Sequence, residues 1–176
     1  MHQKTQVTAV TKEIAIKYKV VIALAICVTL AATLLSLGWV NPAKEHVARG
    51  DSLCKLQQWD EAVAAYTMAV NFDPMYVVAY NNRGYAYAQK GHYDKAITDY
   101  SKAIEIDPEY SLAYNNRGFA YDNYRDYDQA IADYTRALSI DPYYFTAYYN
   151  RGFAYRSIGE ISKADADFQI AASYHP

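Results

Sequence analysis

Ala79-Tyr80-Asn81-Asn82-Arg83-Gly84 returns as Ala113-Tyr114-Asn115-Asn116-Arg117-Gly118, and again, slightly altered, as Ala147-Tyr148-Tyr149-Asn150-Arg151-Gly152. The copies stand 34 residues apart, and Arg49-Gly50 lies one more step upstream. A fixed period of this length signals a stacked repeat array. Other positions keep the same step. An alanine follows each glycine at Ala62, Ala96, Ala130 and Ala164, and a ring follows at Tyr66, Tyr100, Tyr134 and Phe168. A second alanine comes at Ala69, Ala103, Ala137 and Ala171, then a proline at Pro74, Pro108, Pro142 and Pro176.

One unit reads as a helical hairpin. Residues 79 to 90 carry Ala79, Tyr80, Arg83, Gly84 and Tyr87 on one stripe at helical spacing. A turn around Gly91-His92 follows. Residues 94 to 106 form a second helix with Ala96, Ile97, Tyr100, Ala103 and Ile104 on its buried stripe. Pro108 stops it, because the residue before a proline is biased away from helix. Glycine inside a helix costs about 1 kcal/mol relative to alanine. Four such glycines therefore need a packing reason. The reading is that Gly84 admits the second helix closely, with Ala96 opposite, while Tyr80, Tyr87 and Tyr100 fill the space around them. A single hairpin cannot bury its apolar stripe, and at least three stacked units make a continuous core.

The small and aromatic signature resembles the tetratricopeptide repeat family over residues 43–176. The signature is complete in four units: 43–76, 77–110, 111–144 and 145–176. The first is degenerate, with His46 and Leu53 where the others carry Tyr80, Tyr114 and Tyr148, or Tyr87, Tyr121 and Tyr155. The resemblance implies an all-α, right-handed solenoid of antiparallel helix pairs with a concave groove.

Residues 1–19 are a polar, basic tail and residues 20–40 carry no charge. About 20 apolar residues span a bilayer core. Lys17 and Lys19 stand at one end of the run and Trp39 at the other, where interfacial anchors belong. The expectation is one transmembrane helix before the repeats. A cleaved signal peptide ending after Ser36-Leu37-Gly38 is the competing reading, with secretion as its consequence; signal cores run about 7–15 residues, and this run is longer. Four lysines before the span place the tail in the cytoplasm and export the repeats. A receptor on an organelle surface is the alternative topology. Asn41-Pro42 supplies an N-cap and a first helical residue, so the repeats begin with almost no linker.

Charge excludes one class of partner. Beyond residue 19 the chain carries thirteen cations against eighteen acids. Nucleic-acid binding requires a basic stripe, so none is expected. Cys27 and Cys54 make no disulfide framework. There is no nucleophile elbow, phosphate loop or metal-ligand spacing, and His2, His46, His92 and His175 are scattered. The reading is a non-enzymatic protein without cofactor or metal.

Arg83, Arg117 and Arg151 repeat with Asp99, Asp133 and Asp167, whereas Arg49 faces Ala65 in the first unit. These predict ion pairs across each hairpin or to its neighbour, as a device of packing and register. On the side of each first helix opposite the packed stripe lie Asn81, Asn82 and Tyr85; Asn115, Asn116 and Phe119; and Tyr149, Asn150 and Phe153. Asn82, Asn116 and Asn150 form a ladder, and an amide both donates and accepts. The expectation is that this face holds an extended protein or peptide segment by its backbone, with the rings adding apolar contacts. The resemblance implies a peptide-binding concavity here.

One branch of the family binds C-terminal carboxylates through converging cations. The corresponding positions are Val47, Asp51, Asn82, Leu112 and Asn116 in units one to three, or Asn81, Tyr85, Asn116, Thr146 and Asn150 in units two to four, with no cation in either set. A carboxylate clamp is not expected. The fourth unit carries no polar capping element, so Phe168, Ile170, Ala171 and Tyr174 are expected to leave apolar surface. A homodimer through that end is the competing structural function.

Overall fold

The computed structural model describes residues 18, 19, 21, 22, 26, 29 and 41–173. The chain divides into two units, Met1–Asn41 and Pro42–Pro176. The six described residues before Asn41 are helical. No helix among the described residues is long and apolar enough to cross a membrane. Most of the proposed tail and span, and the signal-cleavage alternative, lie outside the described residues.

The second unit is eight helices in four hairpins. They are α1 (Pro42–Lys55), α2 (Trp59–Phe72), α3 (Val77–Gln89), α4 (Tyr93–Ile106), α5 (Ser111–Asn123), α6 (Tyr127–Ile140), α7 (Phe145–Ser157) and α8 (Ile161–Ser173). Pro42 opens the first helix as its sequence position predicts. Each hairpin packs on itself and on the next one. The first helices α1, α3, α5 and α7 also touch in succession, whereas the second helices do not touch one another among the described residues. The first helices therefore line one face of the array.

The glycine's role is more direct than a close approach of backbones. A Cβ on Gly84 would lie 2.8 Å from Tyr100 Cε1 and 3.2 Å from the Ala96 carbonyl. The ring itself rests on the glycine. The same contact recurs at Gly50 with Tyr66, Gly118 with Tyr134 and Gly152 with Phe168. Tyr66, Tyr100 and Tyr134 are fully buried as a result.

Two turns repeat with the unit. Residues 57, 91, 125 and 159 all take positive φ, supplied by Gln57, Gly91, Arg125 and Gly159. Between hairpins, the chain leaves the helix at Asp73, Asp107 and Asp141, each extended and each followed by proline. The aspartate side chain then accepts a hydrogen bond from the backbone N–H two residues on, at 3.0 Å, in all three joints. This Asx turn reverses the chain where proline offers no donor of its own.

Candidate peptide-binding face

Each arginine grips the aspartate of its own hairpin with two parallel hydrogen bonds. Arg83 Nε and Nη2 donate to Asp99 at 2.8 and 2.7 Å; Arg117 does so to Asp133 at 2.8 and 2.8 Å, and Arg151 to Asp167 at 2.8 and 2.8 Å. The remaining nitrogen crosses to the preceding hairpin, donating to Thr67, Ser101 and Thr135 respectively. One side chain thus ties a hairpin internally and to its neighbour. The charge-assisted bonds to aspartate raise all three guanidinium pKa values, against a smaller opposing effect of burial. Each guanidinium also lies over a ring of its own helix, Tyr80, Tyr114 or Tyr148.

The asparagines do not form an open ladder. Asn150 Nδ2 donates to Asn115 Oδ1 at 3.1 Å, and Asn115 Nδ2 donates to Asn116 Oδ1 at 3.4 Å. Asn116 Nδ2 donates to Asn81 Oδ1, and Asn81 Nδ2 to Asn82 Oδ1, both at 3.0 Å. Asn82 Nδ2 donates to Asp51 Oδ1 at 3.0 Å. Five amides in three hairpins therefore make one head-to-tail chain ending on a carboxylate in the first. Tyr66 donates its hydroxyl to the same Asp51 oxygen at 2.7 Å. Aligned amide dipoles in a low-dielectric seam polarise one another.

This corrects part of the expected face. Asn81 is 2% exposed and Asn115 5% exposed. Both lie in the seam between consecutive first helices, out of a ligand's reach. Asn82, Asn116 and Asn150 are half-buried beside them. Among the residues expected on this face, what stands exposed is aromatic: Tyr85 and Phe119 are 43% and 44% exposed. Tyr149 is exposed and Phe153 half-buried, and they pack edge-on at 4.7 Å. Tyr85 also meets the Trp59 ring of the first hairpin edge-on.

Sequence reading missed how one position varies along the array. Asp51, Tyr85, Phe119 and Phe153 are equivalent by the 34-residue step, as are the rings Tyr66, Tyr100, Tyr134 and Phe168 fifteen residues later. In the first unit a carboxylate meets a hydroxyl. In the fourth, Phe153 meets Phe168 at 5.1 Å, and neither has a polar atom. In the third, where position 119 is phenylalanine, the buried Tyr134 hydroxyl has no hydrogen-bond partner among the described residues. Burial pushes the Tyr66, Tyr100 and Tyr134 hydroxyls well above the usual tyrosine range.

At the clamp positions, Val47 is buried and Asp51 already accepts two hydrogen bonds. Cys54 lies 3.4 Å from the Tyr66 hydroxyl, and desolvation raises its thiol pKa. Among the described residues no cluster of histidine, cysteine and carboxylate side chains could hold a metal. At the far end, Ala171 is buried, against expectation, and Ile170 is exposed. Tyr174 lies outside the described residues.

The family model described as tetratricopeptide repeat matches residues 77–110 and 111–144. A TPR repeat model matches residues 50–91, and a further tetratricopeptide repeat model matches residues 133–166. Among solved structures, the crystal structure of MamA is 25% identical, with a TM-score of 0.70, covering 81% of this chain and 82% of that one. The first TPR of Spaghetti (RPAP3), bound to HSP90 peptide SRMEEVD, is 27% identical with a TM-score of 0.66, covering 67% and 94%. The Arabidopsis OM64 TPR domain is 28% identical with a TM-score of 0.65, covering 66% and 96%. No curated protein matches the chain.

Proposed function

The chain belongs to the tetratricopeptide repeat family, and from that premise we propose that it is a non-enzymatic scaffold binding an extended segment of another protein along its first helices. The observation that carries this is the pair of exposed rings, Tyr85 and Phe119, at equivalent places one repeat apart. Their recurrence at one place on the same face sets them apart from singly scattered exposed rings such as Tyr124 and Tyr143. Asn82, Asn116 and Asn150 flank them and supply the polar contacts, through amide valences the seam does not use.

The ligand differs in kind from the acidic HSP90 peptide SRMEEVD bound to the Spaghetti TPR domain. Val47, Asp51 and Leu112 offer no cation to a terminal carboxylate, and Asp51 repels one. An internal segment, held by its backbone and by apolar side chains, suits this face.

Residues 20–40 hold the scaffold in a membrane in this reading, with the tail cytoplasmic and the repeats exported. The uncharged run and the lysines before it support that orientation. Photo-crosslinkers placed at residues 85 and 119, with residue 98 as an exposed control on α4, test the binding face in native membranes. A polypeptide captured at both first-helix positions and absent at the control is expected. Equal capture at all three sites overturns the reading. Protease accessibility of the repeats in intact cells tests the topology.

A further inference from the structure

Tyr85 and Phe119 are exposed at equivalent places on neighbouring first helices, and the distance between such places selects a backbone conformation for what lies across them. Asn116 Nδ2 reaches from α5 to Asn81 Oδ1 on α3 at 3.0 Å, so the two helices pack directly on each other. The axes of directly packed helices run about 8–10 Å apart, and equivalent rings are displaced by about the same step. A strand rises about 3.3 Å per residue and returns to one face every second residue, at about 6.6 Å or about 13 Å. Neither distance matches. A helix returns to one face after about seven residues, or about 10.5 Å, but its backbone groups are bonded to one another. It leaves Asn82 and Asn116 only side chains to meet. A polyproline II segment has three residues per turn and rises about 3.1 Å per residue, so every third residue faces the same way at about 9.3 Å. Its N–H and C=O groups stay free of internal hydrogen bonds, and Asn82 and Asn116 stand one helical turn before the two rings.

Charge narrows the ligand further. The charged side chains of α3 and α5 are Arg83, Arg117 and Asp122. Both arginines are held by the aspartates of their own hairpins, and Asp122 is half-buried one turn after Phe119. The stripes that carry the two rings are otherwise neutral, running on to Val78 and Gln89 on α3 and to Leu112 and Asn123 on α5. Charge resumes on either side. Lys44, Asp51 and Lys55 hold the equivalent stripe of α1, and on α7 the Arg156 guanidinium lies 4.5 Å from the Phe153 ring centre. A neutral segment suits the stretch between, where an acid would meet Asp122. Trp59 stands edge-on to Tyr85 at 6.3 Å and adds a second ring beside it. Grooves lined by rings are what proline-rich segments dock on.

We propose that the ligand is a polyproline II segment of a partner protein, uncharged where it crosses α3 and α5, with apolar side chains three residues apart seated on Tyr85 and Phe119. This rests on the reading of the first-helix face as peptide-binding and names the class of segment it takes. The amides of Asn82 and Asn116 bond the segment's backbone, and the two rings fix its register.

The test uses the full chain and two fluorescent nonapeptides of identical composition, each of prolines and three leucines. In one the leucines stand three residues apart, in the other two apart. The first is expected to bind roughly tenfold more tightly, the effect of seating one more apolar side chain. Tyr85→Ala and Phe119→Ala, both at exposed positions, are each expected to erase that preference while a cooperative thermal melt is retained. Glutamate in place of the proline before the second leucine is expected to weaken binding of the first peptide. Equal affinity of the two peptides, a preference for leucines two apart, or binding of neither overturns the inference. So does a preference that survives both ring substitutions. Capture of a polypeptide by crosslinkers at residues 85 and 119 would still uphold the face itself, so failure of the ligand class and failure of the binding face give different results.

Discussion

Asn150 Nδ2 meets Asn115 Oδ1 at 3.1 Å across the joint between the third and fourth hairpins. The bond is one link of a chain reaching Asp51 in the first. Removing Asn115 breaks it at two places, because Asn115 accepts from Asn150 and donates to Asn116. An unsatisfied buried polar group costs about 1–3 kcal/mol. Asn115→Ala is therefore expected to destabilise the array by about 2 kcal/mol, with Asn150→Ala milder because it ends the chain. Urea unfolding checks both. Equal, negligible effects would show that the amides act singly and are satisfied by water.

The arginine and aspartate pairs give a larger effect. Deleting one partner of a buried pair leaves the other charge uncompensated, at about 3–5 kcal/mol. Asp133→Ala is expected near the lower bound, because Arg117 retains its bond to Ser101 and some exposure. Arg49 is the internal control, being exposed and lacking an aspartate at its equivalent position, which is Ala65. Arg49→Ala should shift the melting temperature far less. Similar shifts for both variants would remove the pair from any account of stability.

The unpartnered Tyr134 hydroxyl predicts a change of sign within one family of substitutions. Tyr134→Phe deletes an orphaned buried group and should stabilise by about 1 kcal/mol. Tyr66→Phe deletes a donor to Asp51 and should destabilise by about the same amount. Two chemically identical changes at equivalent positions then move the denaturation midpoint in opposite directions. A loss of stability in both would mean that the Tyr134 hydroxyl has a partner.

These contrasts mark where sequence reading stopped. The helical hairpin and a pairing of Arg83, Arg117 and Arg151 with Asp99, Asp133 and Asp167 were legible, because both repeat with the unit; that each pair closes within its own hairpin, and that the ring rests directly on the glycine, were not. The burial of Asn81 and Asn115 was not. A helical wheel for one hairpin has a packed side and an opposite side. In an array each inner first helix also touches the first helices before and after it, so its flanks are buried too. The pairing of position 51 with the ring fifteen residues later was equally hidden, since its residue type changes in the first three units. The membrane run falls largely outside the described residues and stays a matter of sequence.

Asp122 predicts a pH dependence. Burial raises its carboxyl pKa above the ordinary 3.8. A group raised on folding favours the folded state while protonated, and that contribution is lost as pH rises through the folded value. Asp122→Asn should therefore match the natural chain near pH 3, where both side chains are neutral. The variant should become the more stable one as pH rises past 3.8 toward neutrality. Thermal melts across that range check the sign, and curves that stay parallel would exclude Asp122 as the cause.

The hairpin turn allows a comparison between conformational strain and chain entropy. Gln57 and Arg125 take φ of 57° and 60° at the position that Gly91 and Gly159 fill elsewhere. A residue with a Cβ pays about 1–2 kcal/mol in the left-handed region. Glycine returns about 0.4–1 kcal/mol of that through its freer unfolded state. Strain is the larger quantity, so Arg125→Gly should stabilise by about 0.5–1 kcal/mol. Gly91→Ala should destabilise by a similar amount, although a Cβ there would meet nothing within 4 Å. Because no contact is made or lost at Gly91, the measured difference isolates the backbone preference. Stabilisation by Gly91→Ala would mean that chain entropy outweighs strain at this turn.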